Sequence, residues 1–396
     1  MKIGECFVSR RPSLSYKIPD KMCSFVLLQE AMSSRRWLAP WKDSLEKPVL
    51  YHCISRVVDR RFVLGVEEKE KFRTLMRLQE KFTGCRATSY CLMDNHFHIL
   101  LEVPPMAESG LSDEELLQRL SSIYSEALVA GVAKELADAR TMIHAHETGL
   151  DEAVAAIHKR FTYRMHDLGE FMKGLLQRFT QWFNRAHSRT GRLWEDRFKS
   201  VIVEDGIAAK TICAYIDLNP VRAGMVKDPA DYRWSSYGEA IGGGSKGNGK
   251  TARAGLVRAL RAHQGAGADA DLWAGEVSRE YRKLLMTGAV KKSAERVGLD
   301  GKLATKTLRK GISLQDAENE RGMDGEIPLG RMLRCRVRYF TDGAVIGSRG
   351  FIDEAFARCR ERFGSKRKTG ARKLKGNAKP ASGVLWSLRD LRKSVS

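Results

Sequence analysis

The sequence has no apolar run close to the roughly 18–20 residues that a membrane-spanning helix needs, and its N-terminus has no apolar signal-peptide core. We therefore expect a soluble protein that is not secreted. Acidic residues are also comparatively few, since 48 Asp and Glu stand against 69 Lys and Arg, which gives a formal net charge of +21. Such an excess predicts a polyanion as the partner, although the charge alone does not distinguish DNA, RNA and a membrane surface.

Paired cysteine motifs are absent as well. No two of the eight cysteines have the Cys-x-x-Cys spacing of a zinc knuckle or a redox motif. A chain of 396 residues with 43% apolar residues has enough material for hydrophobic cores without disulfides. Cys53, Cys85 and Cys91 lie in or beside apolar, strand-like segments, where a thiol usually packs in the core. We expect all eight cysteines to be reduced and to bind no metal.

The positive charge is concentrated in the C-terminal part of the chain. Residues 241–396 contain 34 basic and 16 acidic residues, whereas residues 1–240 contain 35 basic and 32 acidic residues. This partition predicts that the C-terminal part is a clamp for a polyanionic partner, appended to a nearly neutral part, 1–240, that holds the chemistry. A basic segment that only keeps the protein soluble is the alternative.

Composition also suggests domain boundaries. The Gly-rich segment after Tyr237 is typical of a flexible linker, and the last residues combine many lysines and arginines with few apolar residues, which is typical of disorder. Met32 is a possible true start. The predicted organisation is an N-terminal segment of uncertain structure (1–47), a main domain (48–240) with a helical insertion at about 106–170, a linker (241–251), a small accessory domain (252–363) and a disordered basic tail (364–396).

The hydrophobic pattern predicts the order β-α-β-β-α-β followed by one more helix. Alternating apolar residues indicate strands, a spacing of three to four residues indicates helices, and Asn219-Pro220 ends the last helix. This order is that of an α+β, ferredoxin-like sandwich, in which an antiparallel sheet carries helices on one face. The predicted strands are 48–58, 87–92, 95–103 and 197–204, and the predicted helical segments are 67–82, 112–183 and 206–218.

Two histidines are the first candidates for chemistry. His96 and His98 are two residues apart on a predicted strand, so their side chains project from one face while Phe97 and Ile99 enter the core. Two imidazoles on one face of a rigid strand can hold one divalent metal ion. A pair at this spacing also arises often by chance, and simple surface polarity is the alternative.

A tyrosine and an asparagine on the last predicted helix are the second candidates. Tyr215 and Asn219 are four residues apart and therefore share a helix face. An asparagine oxygen is a plausible ligand of a hard cation, and a tyrosine hydroxyl beside a metal-bound phosphate is a plausible nucleophile. Ordinary packing of the tyrosine and a helix stop at Asn-Pro are the alternative.

Basic and aromatic residues form a third set. Trp194, Arg197 and Lys199 lie in a segment where aromatic and basic residues alternate, which suits base stacking with phosphate contacts along a single strand. A tryptophan in the core flanked by solvated charges explains the same pattern. Arg56 and Arg222 are weaker candidates for phosphate contacts.

These segments resemble a known family. Residues from about 48 to 237 are similar to the HUH-type single-tyrosine (Y1) transposases of the IS200/IS605 class, and more closely to the REP-associated tyrosine transposases (RAYT). Insertion-sequence enzymes of this class are much shorter, and the part beyond residue 240 has no counterpart in them. The resemblance rests on five segments in the expected order: 51–56 (YHCISR), 94–101 (DNHFHILL), 191–199 (GRLWEDRFK), 215–224 (YIDLNPVRAG) and 232–237 (YRWSSY).

The resemblance implies a mechanism and a set of roles. His96, His98 and Asn219 would bind Mg²⁺ or Mn²⁺, and Tyr215 would attack single-stranded hairpin DNA, such as a REP element, to give a 5′-phosphotyrosine intermediate and a free 3′-OH. It further implies a monomer or homodimer in the bacterial cytoplasm, associated with the nucleoid. Two alternatives remain, a replication initiator or relaxase with the same site, and a domesticated DNA- or RNA-binding protein without catalysis.

Overall fold

The protein is described by a computed structural model in which the chain divides into two units, residues 1–36 and residues 37–396. Met32 and most of the predicted N-terminal segment lie outside the described residues. All that follows concerns the second unit. The described residues are 37–144, 150–244, 247–262, 269–273, 275–289, 292–297, 303–309, 338–373 and 385–388.

Four antiparallel strands form one end of a seven-stranded sheet. Their order is β2-β3-β1-β4, so that β1 lies between β3 and β4, as two interleaved βαβ units require. The predicted α+β, ferredoxin-like fold is therefore confirmed, and the predicted strands agree with the observed ones to within a few residues. The strands are β1 (Val49–Arg56), β2 (Arg86–Leu92), β3 (His96–Val103) and β4 (Lys199–Val203).

Helices α1 (Val66–Thr83) and α5 (Leu168–Ala186) cover one face of this sheet. The ring of Phe72 on α1 lies 4.8 Å from that of Phe97 on β3 and 5.1 Å from that of Phe179 on α5, measured between centroids. Close-packed aromatic rings of this kind stabilise the fold through both their buried area and the favourable geometry of the ring pairs. This face contains the apolar residues that the strand alternation assigned to the core.

A second layer covers the opposite face of the sheet. It includes α6 (Ile207–Asp217), the short α7 (Asn219–Ala223) that follows it, and α9 (Gly247–Arg261). The sheet is thus buried on both faces, whereas the ferredoxin-like pattern predicted helices on one face with only the tyrosine-bearing helix added to it. As a result, polar side chains of β1 and β3 on this second face are enclosed.

The structure corrects the predicted linker at 241–251. Residues 236–242 form α8 (Ser236–Gly242), and residues 247–251 are the first turns of α9. The glycines here permit close packing: a Cβ atom on Gly249 would lie 2.4 Å from the backbone oxygen of Gly243, and one on Gly255 would lie 2.9 Å from that of Thr88 on β2. Composition alone cannot separate this use of glycine from flexibility.

The predicted accessory domain and disordered tail also differ from the structure. Strand β7 (Val345–Gly347) pairs in parallel with β4, and β8 (Arg372–Lys373) and β9 (Trp386–Ser387) extend the same sheet. On α9, Arg258 forms a buried ion pair with Glu102 of β3, with 2.8 Å between Nε and Oε1. The described C-terminal residues therefore belong to the same compact unit as the predicted domain 48–240.

The predicted helical insertion is present and has its own small core around Leu116, Leu120 and Leu136. Five described cysteines (53, 85, 91, 213 and 359) are buried thiols. No described helix combines the length and the apolar composition that a membrane crossing requires. The remaining elements are α2 (Asp113–Ser121), α3 (Glu126–His144), α4 (Leu150–Thr162), α10 (Glu276–Ala289), α11 (Arg338–Asp342), α12 (Arg349–Arg358), the hairpin β5 (Lys292–Val297) and β6 (Leu303–Arg309), and 3₁₀ turns at Val58–Arg60, Pro229–Asp231, Ala270–Trp273 and Arg360–Arg362.

Replacing Gly255 with alanine is expected to destabilise the protein, because the new methyl group would press on backbone atoms of β2. Gly131→Ala is the matched control, since nothing lies within 4 Å of a Cβ at this position on α3. Alanine favours a helix over glycine by up to about 1 kcal/mol, and an overpacked contact costs about 1–3 kcal/mol. In urea unfolding followed by circular dichroism we expect opposite signs at the two positions. A gain of stability at both would contradict the close approach of α9 to β2.

Candidate active site

Strand β3 places His96 and His98 on the face covered by α6. In the register between β1 and β3, Arg56 lies opposite His96 and Ile54 lies opposite His98, and residues directly opposite in a sheet share a face. The two imidazole centroids are 5.1 Å apart. The shared face that the alternation predicts for these two histidines is therefore observed. His98 is only 2% exposed, and His96 is half-buried at the strand end.

Each of the two histidines uses its Nδ1 atom for a hydrogen bond. His96 Nδ1 lies 2.6 Å from Asn95 Oδ1, while the Asn95 amide nitrogen donates to the backbone oxygen of Arg60 at 3.0 Å, so Oδ1 is the atom turned to His96. His98 Nδ1 lies 3.0 Å from His52 Nε2. Neither His96 Nε2 nor His98 Nε2 has a hydrogen-bond partner among the described residues.

Burial keeps these imidazoles neutral. It lowers the pKa of His52 to about 4 and, with help from the nearby Arg56 charge, lowers the pKa of His96 to about 4 as well. Burial also holds the pKa of His98 well below its usual value, and the charges of Arg56 and Arg222 act in the same direction. Two neutral imidazoles with uncommitted Nε2 atoms on one face are donors of the kind that a divalent cation takes, so the residues present fit a metal.

Helix α6 holds Tyr215 over the histidines. Its ring meets that of His98 edge to face with 5.5 Å between centroids, and it lies 5.0 Å from the ring of Phe340 on α11. Tyr215 is 3% exposed, and its hydroxyl makes no hydrogen bond with any described residue. Burial raises the pKa of Tyr215 to about 12, while the charges of Arg222 and Arg56 oppose this rise. The Arg222 guanidinium carbon lies 5.1 Å from the centre of the tyrosine ring.

Asn219 continues the backbone of the tyrosine helix into α7. Its amide nitrogen donates to the backbone oxygen of Tyr215 at 3.0 Å and to that of Ile216 at 3.2 Å, which leaves its Oδ1 without a donor among the described residues. No hydrogen bond joins it to His96 or His98. Within the described residues no group of three or more His, Cys, Asp or Glu could hold a metal ion. Asn219 stays the predicted third ligand.

The Trp194 segment divides between the two faces of the sheet. The Trp194 ring lies 5.5 Å from Phe97 on the face opposite the histidines, and its Nε1 donates to Thr180 Oγ1 at 3.1 Å. This geometry favours the packing alternative for Trp194. Lys199 lies opposite Ile54 and therefore shares the face of His98, where it forms an exposed ion pair with Asp342. Arg197 is exposed in the preceding turn.

Sequence reasoning missed three residues at this site. His52 could have been found, because strand alternation already places it on the face of Ile54 and Arg56. Phe340 follows His52 by 288 positions, and no pattern in the sequence links the two. Phe62 is 79% exposed in the loop after β1, between the exposed Arg61 and the half-buried Val63. The same loop is held by Asn95, the neighbour of His96.

Comparisons with known proteins agree with the predicted resemblance. Residues 47–134 match the family model described as transposase IS200 like, which includes β1, β2, β3 and both histidines but not Tyr215 or Asn219. A solved structure of a REP-associated tyrosine transposase bound to a REP hairpin aligns with 54% of this chain and 87% of its own, at 12% identity and a TM-score of 0.32. Values this low support no argument by themselves. No curated protein matches the chain.

Tyr215→Phe is expected to leave stability unchanged, because the substitution keeps the packed ring and removes a hydroxyl that has no hydrogen bond. Tyr281→Phe is the matched control: that tyrosine is 2% exposed, and its hydroxyl donates to Asp217 Oδ2 at 2.5 Å. We expect a change within about 0.5 kcal/mol for the first variant and a loss of about 1–3 kcal/mol for the second. Thermal or urea unfolding measures both. A large loss at Tyr215 would mean that its hydroxyl supports the fold.

Proposed function

We propose that the protein is a metal-dependent endonuclease and strand transferase of single-stranded hairpin DNA, with REP elements as one candidate substrate and Tyr215 as the nucleophile. The match of residues 47–134 to IS200-like transposases supports a DNA-processing function. The observation that carries the proposal is the packing of the Tyr215 ring against His98, beside two histidines with uncommitted Nε2 atoms. His96, His98 and Asn219 are the residues that would hold Mg²⁺ or Mn²⁺.

Bound at these residues, the metal ion would supply positive charge to the scissile phosphate and stabilise the charge that develops on its oxygens. The phenol oxygen of Tyr215 forms a bond to phosphorus as the bond from phosphorus to the 3′ oxygen breaks. The phenol loses its proton, and the 3′ oxygen takes one up. The product is a 5′-phosphotyrosine, whose bond energy allows the same site to rejoin a 3′-OH without ATP.

Cationic side chains at the site suit this reaction. Arg56 and Arg222 lower the pKa of Tyr215 against the effect of burial, so both favour the phenolate that attacks. The same two arginines can also pair with the negatively charged phosphate of bound DNA. Phe340 packs on the Tyr215 ring, and only 3% of Tyr215 as a whole is exposed, so the ring is held firmly in place.

The exposed loop after β1 offers a stacking surface that Trp194 does not. The Phe62 ring has few contacts, and the exposed Arg60 and Arg61 precede it, which is the combination of aromatic ring and positive charge that single-stranded nucleic acid binds. Asp59 and Arg60 both have positive φ, at 56° and 55°, so the loop is held in a conformation that L-residues rarely adopt. We assign Phe62 as a base-stacking residue of the proposed DNA site.

Incubation of a labelled single-stranded hairpin with the protein and Mg²⁺ or Mn²⁺ is expected to give a covalent adduct on a denaturing protein gel. The adduct should vanish in Tyr215→Phe and in His96→Ala, and persist in the control Tyr163→Phe, which alters an exposed tyrosine of the helical insertion. An adduct that persists in Tyr215→Phe would identify another nucleophile. Tight binding without cleavage or adduct in the native protein would favour the non-catalytic alternative.

Phe62→Ala is expected to weaken binding of single-stranded DNA about tenfold, because stacking on one aromatic ring contributes about 1–3 kcal/mol per base. Fluorescence anisotropy with a labelled oligonucleotide measures this loss at constant salt. Tyr163→Ala removes a comparably exposed ring, 62% against 79%, from the helical insertion and should bind like the native protein. Equal losses in both variants would argue against a specific role of Phe62.

A further inference from the structure

A chain of hydrogen bonds runs from α11 through β1 to β3. The backbone oxygen of Phe340 lies 2.7 Å from His52 Nδ1, and His52 Nε2 lies 3.0 Å from His98 Nδ1. The two imidazole centroids are 5.2 Å apart and the ring planes 23° apart. His52 is fully buried and His98 almost so. Water therefore has little access to either ring, and their partners in this chain decide where the protons lie.

The backbone oxygen at one end fixes the direction of every donor. A carbonyl oxygen only accepts, so His52 Nδ1 carries a proton and donates it to Phe340. His52 is fully buried and neither of its ring nitrogens meets a carboxylate, so it is a neutral imidazole with its one proton on Nδ1, and its Nε2 accepts. The facing Nδ1 of His98 must then donate. His98 is almost fully buried and has no carboxylate partner among the described residues, so it too carries one proton, and its remaining lone pair is on Nε2.

We propose that His52 is a positioning residue, which holds His98 in the tautomer with the proton on Nδ1 and thereby directs the Nε2 lone pair of His98 to a divalent cation. The inference rests on the proposed function only in taking His98 as a ligand of that cation. His96 obtains the same arrangement from Asn95 Oδ1. Both histidines thus donate from Nδ1 to a fixed acceptor. For His96 the acceptor is a side-chain amide oxygen, and for His98 it is the His52 imidazole, which in turn donates to a backbone carbonyl.

This assignment gives the C-terminal part of the chain a role at the site. The carbonyl that starts the chain belongs to Phe340, whose ring also packs on Tyr215. The same short helix contributes Asp342, which pairs with Lys199 at 3.0 Å. Partners of this kind behind a metal-binding histidine typically change metal affinity by 10- to 100-fold when they are removed.

The test compares two substitutions of His52 in the full-length protein. His52→Leu keeps an apolar side chain of moderate size and removes the acceptor, whereas His52→Gln keeps an amide that can donate to Phe340 and accept from His98. Binding of Mn²⁺ is measured by electron paramagnetic resonance and calorimetry without DNA. We expect a loss of 10- to 100-fold for His52→Leu and a smaller loss for His52→Gln.

His158→Leu is the matched control. That histidine is partly buried in the helical insertion and bonds Asp113 at 2.7 Å, so its loss should leave Mn²⁺ affinity unchanged. The second readout is ¹⁵N nuclear magnetic resonance of labelled histidines in the metal-free native protein. It should show His98 protonated on Nδ1 and not on Nε2, and this measurement decides the question even if His52→Leu does not fold.

The inference is overturned if His98 is protonated on Nε2, if folded His52→Leu binds Mn²⁺ like the native protein, or if the native protein binds no Mn²⁺. Failure of the proposed function gives a different result. In that case Mn²⁺ binds, its affinity falls in His52→Leu, and no Tyr215 adduct forms on hairpin DNA. Conversely, a Tyr215 adduct together with unchanged Mn²⁺ affinity in His52→Leu would leave the proposed function standing and remove the role of His52.

Discussion

The central sheet has to be covered on both faces, and most features of the structure follow from this constraint. Helices α1 and α5 bury the face that contains Phe97, and α6 and α9 bury the face that contains the histidines. Because apolar strands exposed on either side would be unstable in water, the second layer is a requirement of the fold. It is also what encloses His52, His98 and Tyr215.

Enclosure sets the chemistry of the site. Taken out of water, His52, His96 and His98 remain neutral, and each nitrogen must find a partner or keep a lone pair. The hydrogen bonds to Asn95 and Phe340 then determine which ring nitrogen carries the proton and which keeps the lone pair. The same burial opposes ionisation of Tyr215, whereas the charges of Arg56 and Arg222 favour it. At Tyr215 the fold therefore sets burial, which disfavours the phenolate, against two nearby positive charges, which favour it.

Some residues of the basic C-terminal part stabilise the fold or lie at the candidate site, which the net charge of this part did not predict. Some of its arginines serve the fold: Arg258 neutralises the buried Glu102, and Arg282 pairs with Asp228 at 2.9 Å. Helix α11 lies directly on the tyrosine. The predicted division, in which residues 1–240 hold the chemistry and the rest strengthens binding, omits this contact of α11 with Tyr215, and the contribution of the C-terminal charge to binding stays a prediction. A net charge counts side chains, whereas a buried ion pair or a backbone carbonyl acts through its position.

The sequence by itself determined strands β1 to β4, the shared face of His96 and His98, and the helix that holds Tyr215. The reason is that periods of two and 3.6 residues follow from backbone geometry alone. Tertiary structure alone decided the rest. Gly249 and Gly255 permit close packing of α9, the partly buried Trp194 packs against the core, and the backbone oxygen of Phe340 bonds His52 across 288 positions. These outcomes depend on which surfaces meet when the sheet is covered, and contacts between distant segments leave no periodic signal in one sequence.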